Sequence, residues 1–205
     1  MMTADQTPPV LVLLPGLDGT GKLFAELDNR AFVLLGESFS GPLAIRIAAR
    51  NLKGLVGLIL CVTFAKSPYP SLGWARSLAA YLPVKRFPRW LRAPLMWGSM
   101  SPSAATSQVE RAMSGVAAAV VRKRIAELLA VDETAALRQI GVPTLVLRAV
   151  GDRVVSKRAT QVILNNSPKA KIVEIDGPHL LLQTRAVECA AVVVSFLRSQ
   201  STSQS

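Results

Sequence analysis

The chain has 205 residues, half of them hydrophobic, and a formal net charge of +11 at pH 7. That length and apolar content suffice for one sizeable hydrophobic core and imply no second one. Two cysteines, Cys61 and Cys189, are too few for a disulfide scaffold and are expected to be buried free thiols. The start of the chain has no signal-like apolar segment and residues 55–65 are too short to cross a bilayer, so a cytoplasmic protein is expected.

Five apolar or β-branched runs predict strands, which lie in chain order at 10–14, 31–35, 55–62, 144–148 and 170–175. Helical stretches lie between them. This alternation predicts an α/β fold: a mostly parallel sheet of about five strands with helices on both faces. In such a fold the ligand site forms at the carboxyl ends of the strands.

The second predicted strand ends abruptly in the sequence GESFSG at residues 36–41, and an alanine-rich helix is predicted at 42–50. A serine hydroxyl is a weak nucleophile, so a hydrolase holds it on a sharp strand-to-helix turn that is clear of neighbouring side chains. Gly36 meets this need, whereas Ser40 stands where the usual motif has its second glycine. Gly-x-Ser also occurs in ordinary turns, but the strand and helix around it favour Ser38 as a nucleophile.

The chain has a single histidine, His179, which follows the strand-like alternation at 170–175 and a Gly-Pro turn. This order predicts a loop at a strand's carboxyl end, where a general base is suitably placed. Asp152 follows the predicted strand at 144–148 and is a candidate for orienting the imidazole. The alternatives are a hydrogen-bonded surface histidine and an aspartate that only forms a turn.

These features together resemble the α/β-hydrolase family, over about residues 9–198. The resemblance consists of an apolar strand that leads into PGLDG at 15–19, the serine turn, an acid after a late strand, and a histidine loop before a final helix at 187–198. It implies a carboxylesterase-like enzyme that cleaves an ester or thioester through an acyl-serine intermediate. Two other functions remain open: a catalytically impaired binding protein, and an acyltransferase that uses the same residues.

The resemblance also implies a role for each candidate residue. Ser38 would be the nucleophile, His179 the general base and Asp152 the acid that orients it. The backbone N–H groups of Leu17 and Phe39 would form the oxyanion hole. This mechanism needs no metal or cofactor.

A phosphate-binding loop is the main competing interpretation of the glycines near the first strand. Residues 16–22 fit the pattern Gly-x-x-x-x-Gly-Lys after a buried strand. Leu23 then replaces the Ser or Thr whose hydroxyl would bind magnesium. Nucleotide hydrolysis is therefore disfavoured.

Residues 67–129 depart from the alternation of strands and helices, because they read as helical and are interrupted repeatedly by proline. They predict a helical cap inserted into a hydrolase core that comprises residues 1–66 and 130–198. The polar residues 199–205 predict a disordered tail.

The predicted cap carries most of the net charge: between Lys66 and Arg124 there are ten Lys or Arg and one acid, Glu110. It also holds all three tryptophans, of which Trp74 and Trp97 are candidates for binding substrate. This composition suits a small acyl ester or thioester, on an acidic carrier or at an anionic membrane surface. Packing of the cap on the core, with a solvated arginine face, explains the same composition. Nucleic acid is not expected, since no recognition motif is visible.

Only 19 residues separate Leu14 from Val33, where the family normally fits a helix, a strand and a second helix. One short helix, at about 20–29, can be accommodated, since a parallel crossover takes about a dozen residues. The strand at 10–14 then lies at a sheet edge with unpaired backbone groups. The chain is then an internally shortened hydrolase, in which the gap is either filled by a homodimer through this exposed edge strand or reflects an excised segment.

Overall fold

The structure is a computed structural model that describes residues 9–14, 30–84 and 115–202, together with Met96, Ser107 and Arg111. In this part of the chain five strands form one sheet, in the spatial order β1-β2-β3-β4-β5, and every neighbouring pair is parallel. The strands are β1 (Val10–Leu14), β2 (Phe32–Glu37), β3 (Leu55–Cys61), β4 (Thr144–Ala149) and β5 (Ala170–Ile175). The predicted α/β fold is confirmed, and each strand ends within two residues of its predicted position.

From β2 onwards, helices lie between the described strands and follow the last one. They are α1 (Gly41–Ala48), α2 (Ala118–Ala130), α3 (Thr134–Gln139), α4 (Lys157–Asn166), α5 (Leu181–Thr184) and α6 (Ala186–Thr202). Two 3₁₀ segments are also described, Ser38–Ser40 and Pro70–Tyr81. The helix predicted at 20–29 lies outside the described residues.

The sheet has a hydrophobic core on each face, because successive side chains of a strand point to opposite sides. On one face, side chains of β1 to β4 pack against α1, α3 and α4; the fully buried members include Leu34, Ile45, Leu58, Leu60, Leu137 and Ile163. On the other face, strand side chains pack against α6; the buried members include Val33, Leu35, Ile59, Leu147, Cys189 and Val193. Burial on both faces explains why β2, β3 and β4 read as continuous apolar runs.

The first strand lies at one edge of the described sheet. Among the described residues β1 pairs with β2 alone, from Val10 opposite Phe32 to Leu14 opposite Gly36. Leu13 is 54% exposed although it lies in an apolar strand. Within the described part of the sheet, β1 therefore has the edge position that the short connection predicts.

The described parts of the predicted cap are helical and lie between β3 and β4. The segment Pro70–Tyr81 packs against α2. At the base of the insertion the Lys66 ammonium lies 2.9 Å from an Asp132 carboxylate oxygen, and the Ser67 N–H donates to the Val131 carbonyl at 2.9 Å. The two ends of the insertion therefore leave the sheet side by side. The division into core and cap stays a prediction.

The last helix is longer than the sequence predicted. Residues 199–205 predict a disordered tail, whereas α6 continues to Thr202. The Ser199 hydroxyl and the Gln200 side-chain amide both donate to the Phe196 carbonyl, at 2.7 and 3.2 Å. Polar side chains near a helix end can thus bond within the helix instead of breaking it. None of the helices in the described ranges combines the length and hydropathy of a membrane span.

Candidate active site

Ser38 lies on a strained turn where β2 meets α1. Its φ is +50°, a left-handed conformation that costs free energy in a residue with a Cβ atom. The strand and helix approach so closely that a Cβ added to Gly36 would lie 2.7 Å from the Ala44 Cβ. Gly36 is therefore required by this approach, and the turn holds the Ser38 hydroxyl at the carboxyl end of the sheet.

The serine that replaces the motif's second glycine has a structural role. Ser40 is buried, and its hydroxyl accepts the Glu37 N–H at 2.8 Å. Its single proton can be donated either to the Glu37 carbonyl at 2.9 Å or to the Leu14 carbonyl at 3.0 Å. Ser40 therefore links the serine turn to the end of β1, where the predicted oxyanion loop begins.

Gly41 follows Ser40, one position after the motif's usual second glycine. The chain just beyond β3 passes so close to it that a glycine is required there. A Cβ added to Gly41 would lie 1.9 Å from Oγ1 of Thr63, which is the second residue after β3. In this position the Thr63 hydroxyl donates to the Ser38 carbonyl. The backbone of the strained turn is thus held from β3 as well as from β1.

His179 is buried on the loop after β5, and both of its ring nitrogens have partners. Its Nε2 lies 2.9 Å from the Ser38 hydroxyl oxygen. Its Nδ1 lies 2.8 Å from Oδ2 of Asp152, and both side chains are 3% exposed. An ionised carboxylate accepts from Nδ1–H, so the bonding assigns the tautomer in which Nε2 is unprotonated and accepts the serine hydroxyl.

The loop after β4 fixes the carboxylate of Asp152. Its Oδ1 accepts the backbone N–H groups of Val154 and Val155 at 2.7 and 2.8 Å. The other oxygen is then directed at the imidazole of His179. The structure therefore brings Ser38, His179 and Asp152 into one chain of hydrogen bonds, which is the arrangement that nucleophilic catalysis by serine requires.

The other predicted site residues are described only in part. Phe39 lies in the 3₁₀ turn directly after the serine. Trp74 lies on the segment Pro70–Tyr81 and is 73% exposed. Leu17 and Trp97 lie outside the described residues.

Two residues at the site were missed by the sequence analysis. Glu37 precedes Ser38, and the Gln183 amide on α5 donates to both of its carboxylate oxygens, at 3.2 and 3.4 Å. Burial raises the pKa of Glu37 above its usual value; the bond from Gln183 and the charge of His179 partly offset this. Glu37 could have been noticed in the sequence, because it occupies the variable position of the Gly-x-Ser motif. No sequence pattern indicates Gln183.

The two cysteines are free and buried, as predicted. Burial raises the pKa of both thiols, and for Cys61 the charge of Glu37 adds to the effect. Both are therefore protonated at neutral pH and are poor nucleophiles and metal ligands. In the described ranges no group of three or more His, Cys, Asp or Glu side chains could hold a metal ion.

We compared the chain with models of protein families, with curated proteins and with solved structures. A family model described as the alpha/beta hydrolase family matches residues 8–192. No curated protein matches the chain.

Several solved structures share the fold at low sequence identity. A hydrolase from Pseudomonas aeruginosa PA01 has a TM-score of 0.72 at 18% identity, over 86% of this chain and 68% of that one. An esterase from Exiguobacterium antarcticum has a TM-score of 0.72 at 16% identity, over 86% and 70% of the two chains. A thermophilic esterase from Thermogutta terrifontis has a TM-score of 0.70 at 22% identity, over 83% and 66%. At these identities the likeness is one of fold.

Proposed function

Because the chain belongs to the α/β hydrolase family, we propose that it is a serine hydrolase that cleaves a carboxylic ester or thioester through an acyl-Ser38 intermediate. The observation that carries the proposal is the continuous hydrogen bonding from the Ser38 hydroxyl through His179 to Asp152. The strained conformation of Ser38 supports it, since such strain is typical of an exposed nucleophile.

The proposed reaction begins when the Ser38 oxygen attacks the carbonyl carbon of the substrate and His179 Nε2 takes the hydroxyl proton. The carboxylate of Asp152 stabilises the imidazolium that forms. His179 then gives its proton to the leaving alcohol or thiol, and the acyl group stays on Ser38. In the second half, His179 activates a water molecule, which releases the carboxylic acid and restores the serine.

Backbone N–H groups would stabilise the negative charge that develops on the carbonyl oxygen. We assign this role to the N–H groups of Phe39 and Leu17. Phe39 is suited to it because it follows Ser38 directly at the start of the turn into α1. The Ser40 hydroxyl bond to the end of β1 supports a role for Leu17, since the loop that carries Leu17 begins there.

A basic groove in the predicted cap supports a substrate with an anionic part. The groove, of about 570 Å³, lies between the segment Pro70–Tyr81 and α2. Arg76, Arg122 and Lys123 contribute its positive charge. Trp74 is exposed on the same segment, and with Trp97 it is our candidate for contact with the acyl part or its acidic carrier. Chromogenic esters of graded acyl length, in neutral and anionic forms, would define the substrate class.

Labelling with a fluorophosphonate probe tests the proposed nucleophile. The wild-type protein should be labelled, because a fluorophosphonate reacts with an activated serine hydroxyl. Ser38→Ala should abolish labelling, whereas the control Ser71→Ala, at an exposed serine of the cap, should keep it. A folded wild-type protein that resists the probe would instead favour the binding-protein alternative. Competition between water and alcohol acceptors would separate a hydrolase from an acyltransferase.

We also propose that a second copy of the chain pairs with the exposed edge of β1. An apolar strand at the edge of the described sheet favours such pairing, and Leu13 is 54% exposed on it. Light scattering should give the mass of two chains for the wild type and of one chain for Leu13→Lys, because an edge lysine opposes strand pairing. A wild-type mass of one chain would contradict the dimer.

A further inference from the structure

The cap segment Pro70–Tyr81 buries a small side chain and exposes its large apolar ones. Ala79 is its buried residue, at 1% exposure. Four large side chains are exposed: Leu72 at 44%, Trp74 at 73%, Leu78 at 51% and Tyr81 at 82%. A segment that only packs onto a core has the reverse order, because large apolar side chains gain the most free energy from burial. These side chains are therefore available to an apolar partner.

Three of the exposed side chains lie in one row along the segment. About three residues complete a turn of a 3₁₀ helix, so side chains three positions apart eclipse one another. Leu72, Leu78 and Tyr81 are separated by multiples of three residues and form the apolar row. The neighbouring row, with Arg76 and Ala79, faces the core of the cap. The apolar row is therefore an outward edge of the cap.

Basic side chains of α2 border this row. The Arg122 Nε donates to the carbonyl of Leu82 at 2.9 Å, one residue beyond Tyr81. Lys123 follows Arg122 and is exposed. The charged residues in 70–84 and 115–130 are four bases and one acid: Arg76, Arg122, Lys123, Arg124 and Glu127. The acid is already shared, since a Glu127 carboxylate oxygen lies 3.7 Å from Nη2 of Arg76. The surface beside the apolar row is therefore positively charged.

An anionic lipid surface satisfies both features of this part of the cap. Leucine side chains gain free energy in the acyl region, and a tyrosine is favoured at the interface, where its ring is apolar and its hydroxyl is wet. Anionic headgroups attract neighbouring Lys and Arg side chains. An acidic protein would match the charge, but charge attraction by itself does not require an exposed row of large apolar side chains.

We propose that the cap docks on an anionic membrane surface through the apolar row, with Arg122 and Lys123 on the headgroups. The inference goes beyond the proposed function and does not depend on it. The docking segment begins beside the candidate active site, because the hydroxyl of Tyr69 donates to the Val154 carbonyl at 3.2 Å. The N–H of Val154 in turn holds the carboxylate of Asp152. Docking therefore brings the loop of Asp152 close to the lipid surface.

Flotation with lipid vesicles tests the charged part of the surface in the full chain. The wild type should float with vesicles of mixed phosphatidylcholine and phosphatidylglycerol, and much less with phosphatidylcholine alone. Added salt should weaken this binding, because it screens exposed charges. Lys123→Gln should lower the partition coefficient about fivefold, the effect of one cation near an anionic surface. Lys53→Gln is the matched control, at an exposed lysine just before β3, and should leave the coefficient nearly unchanged.

A double variant tests the apolar part. Leu72→Ser with Leu78→Ser should lower the partition coefficient about tenfold or more, since two leucine side chains no longer leave water. Both positions are exposed, so the urea midpoint should stay close to that of the wild type. Leu52→Ser, the same change at an exposed leucine just before β3, is the control and should float like the wild type.

Three outcomes would overturn the proposal. The first is a wild-type protein that binds neither kind of vesicle. The second is a double variant that floats as well as the wild type while Lys123→Gln does not, which would indicate attraction by charge alone, as for an acidic protein. The third is a double variant that keeps vesicle binding and loses the mass of a dimer, which would assign the apolar row to a second copy of the chain. Flotation needs no ester hydrolysis, so failure of the proposed function would leave this result unaffected.

Discussion

His179→Ala is expected to lower kcat for ester hydrolysis about 10⁶-fold, because loss of a triad base costs about as much as loss of the whole triad. The chain has no second histidine that could take over. Without the imidazole, the Ser38 hydroxyl loses the acceptor 2.9 Å away and cannot be deprotonated as it attacks. Initial rates on a p-nitrophenyl ester measure the loss.

The fold should survive this change at a cost of about 1–3 kcal/mol, since the carboxylate of Asp152 loses one buried partner. Two backbone N–H groups still hold that carboxylate. Urea unfolding should therefore remain cooperative with a lower midpoint. A variant that is folded and retains the wild-type rate would rule out His179 as the base. The residual rate should match that of Ser38→Ala, since the two residues act as a unit.

The central strands β2, β3 and β4 are predictable from sequence because they are buried on both faces. Residues such as Leu34 and Leu35 belong to opposite cores, and both are almost fully buried. A parallel strand covered by helices on each side cannot alternate with polar residues, so it reads as an unbroken apolar run. The parallel order of the strands follows from the helices between them.

The meeting of the candidate residues is predictable for a related reason. Ser38 follows β2, Asp152 follows β4 and His179 follows β5. Parallel strands end at the same edge of a sheet, so side chains just beyond them approach one another. The structure brings the three within hydrogen-bonding distance, while their catalytic roles remain predictions.

Contacts between distant side chains are not predictable in this way. The Glu37–Gln183 bond joins residues 146 positions apart and depends on how the short helix α5 is oriented on the sheet. The bond from Ser40 to the Leu14 carbonyl depends on the register between β1 and β2. The pattern of apolar residues determines which face of an element is buried, but not the direction of a single polar side chain. The sequence alone therefore does not explain why a serine stands at position 40 in place of the motif's glycine; its hydrogen bonds in the structure do.

Asp152→Asn is expected to lower kcat about 10⁴-fold with little change in shape. The Asn side-chain oxygen can still accept the backbone N–H groups of Val154 and Val155, as Oδ1 does now. Its NH₂ group must then face Nδ1 of His179, where the carboxylate accepts a proton in the wild type. Two donors cannot face each other, so Nδ1 becomes the acceptor and the ring proton moves to Nε2.

That change of tautomer places a proton between His179 and the Ser38 oxygen, so the ring can no longer accept the serine proton. The loss should therefore appear in kcat, with KM for a neutral ester nearly unchanged, because the substrate pocket is not altered. Asp176→Asn is the matched control: it makes the same chemical change at an exposed residue three positions before His179, and its kcat should equal that of the wild type. If Asp152→Asn and Asp176→Asn gave equal rates, Asp152 would act only as a turn former, and another group would have to orient the imidazole.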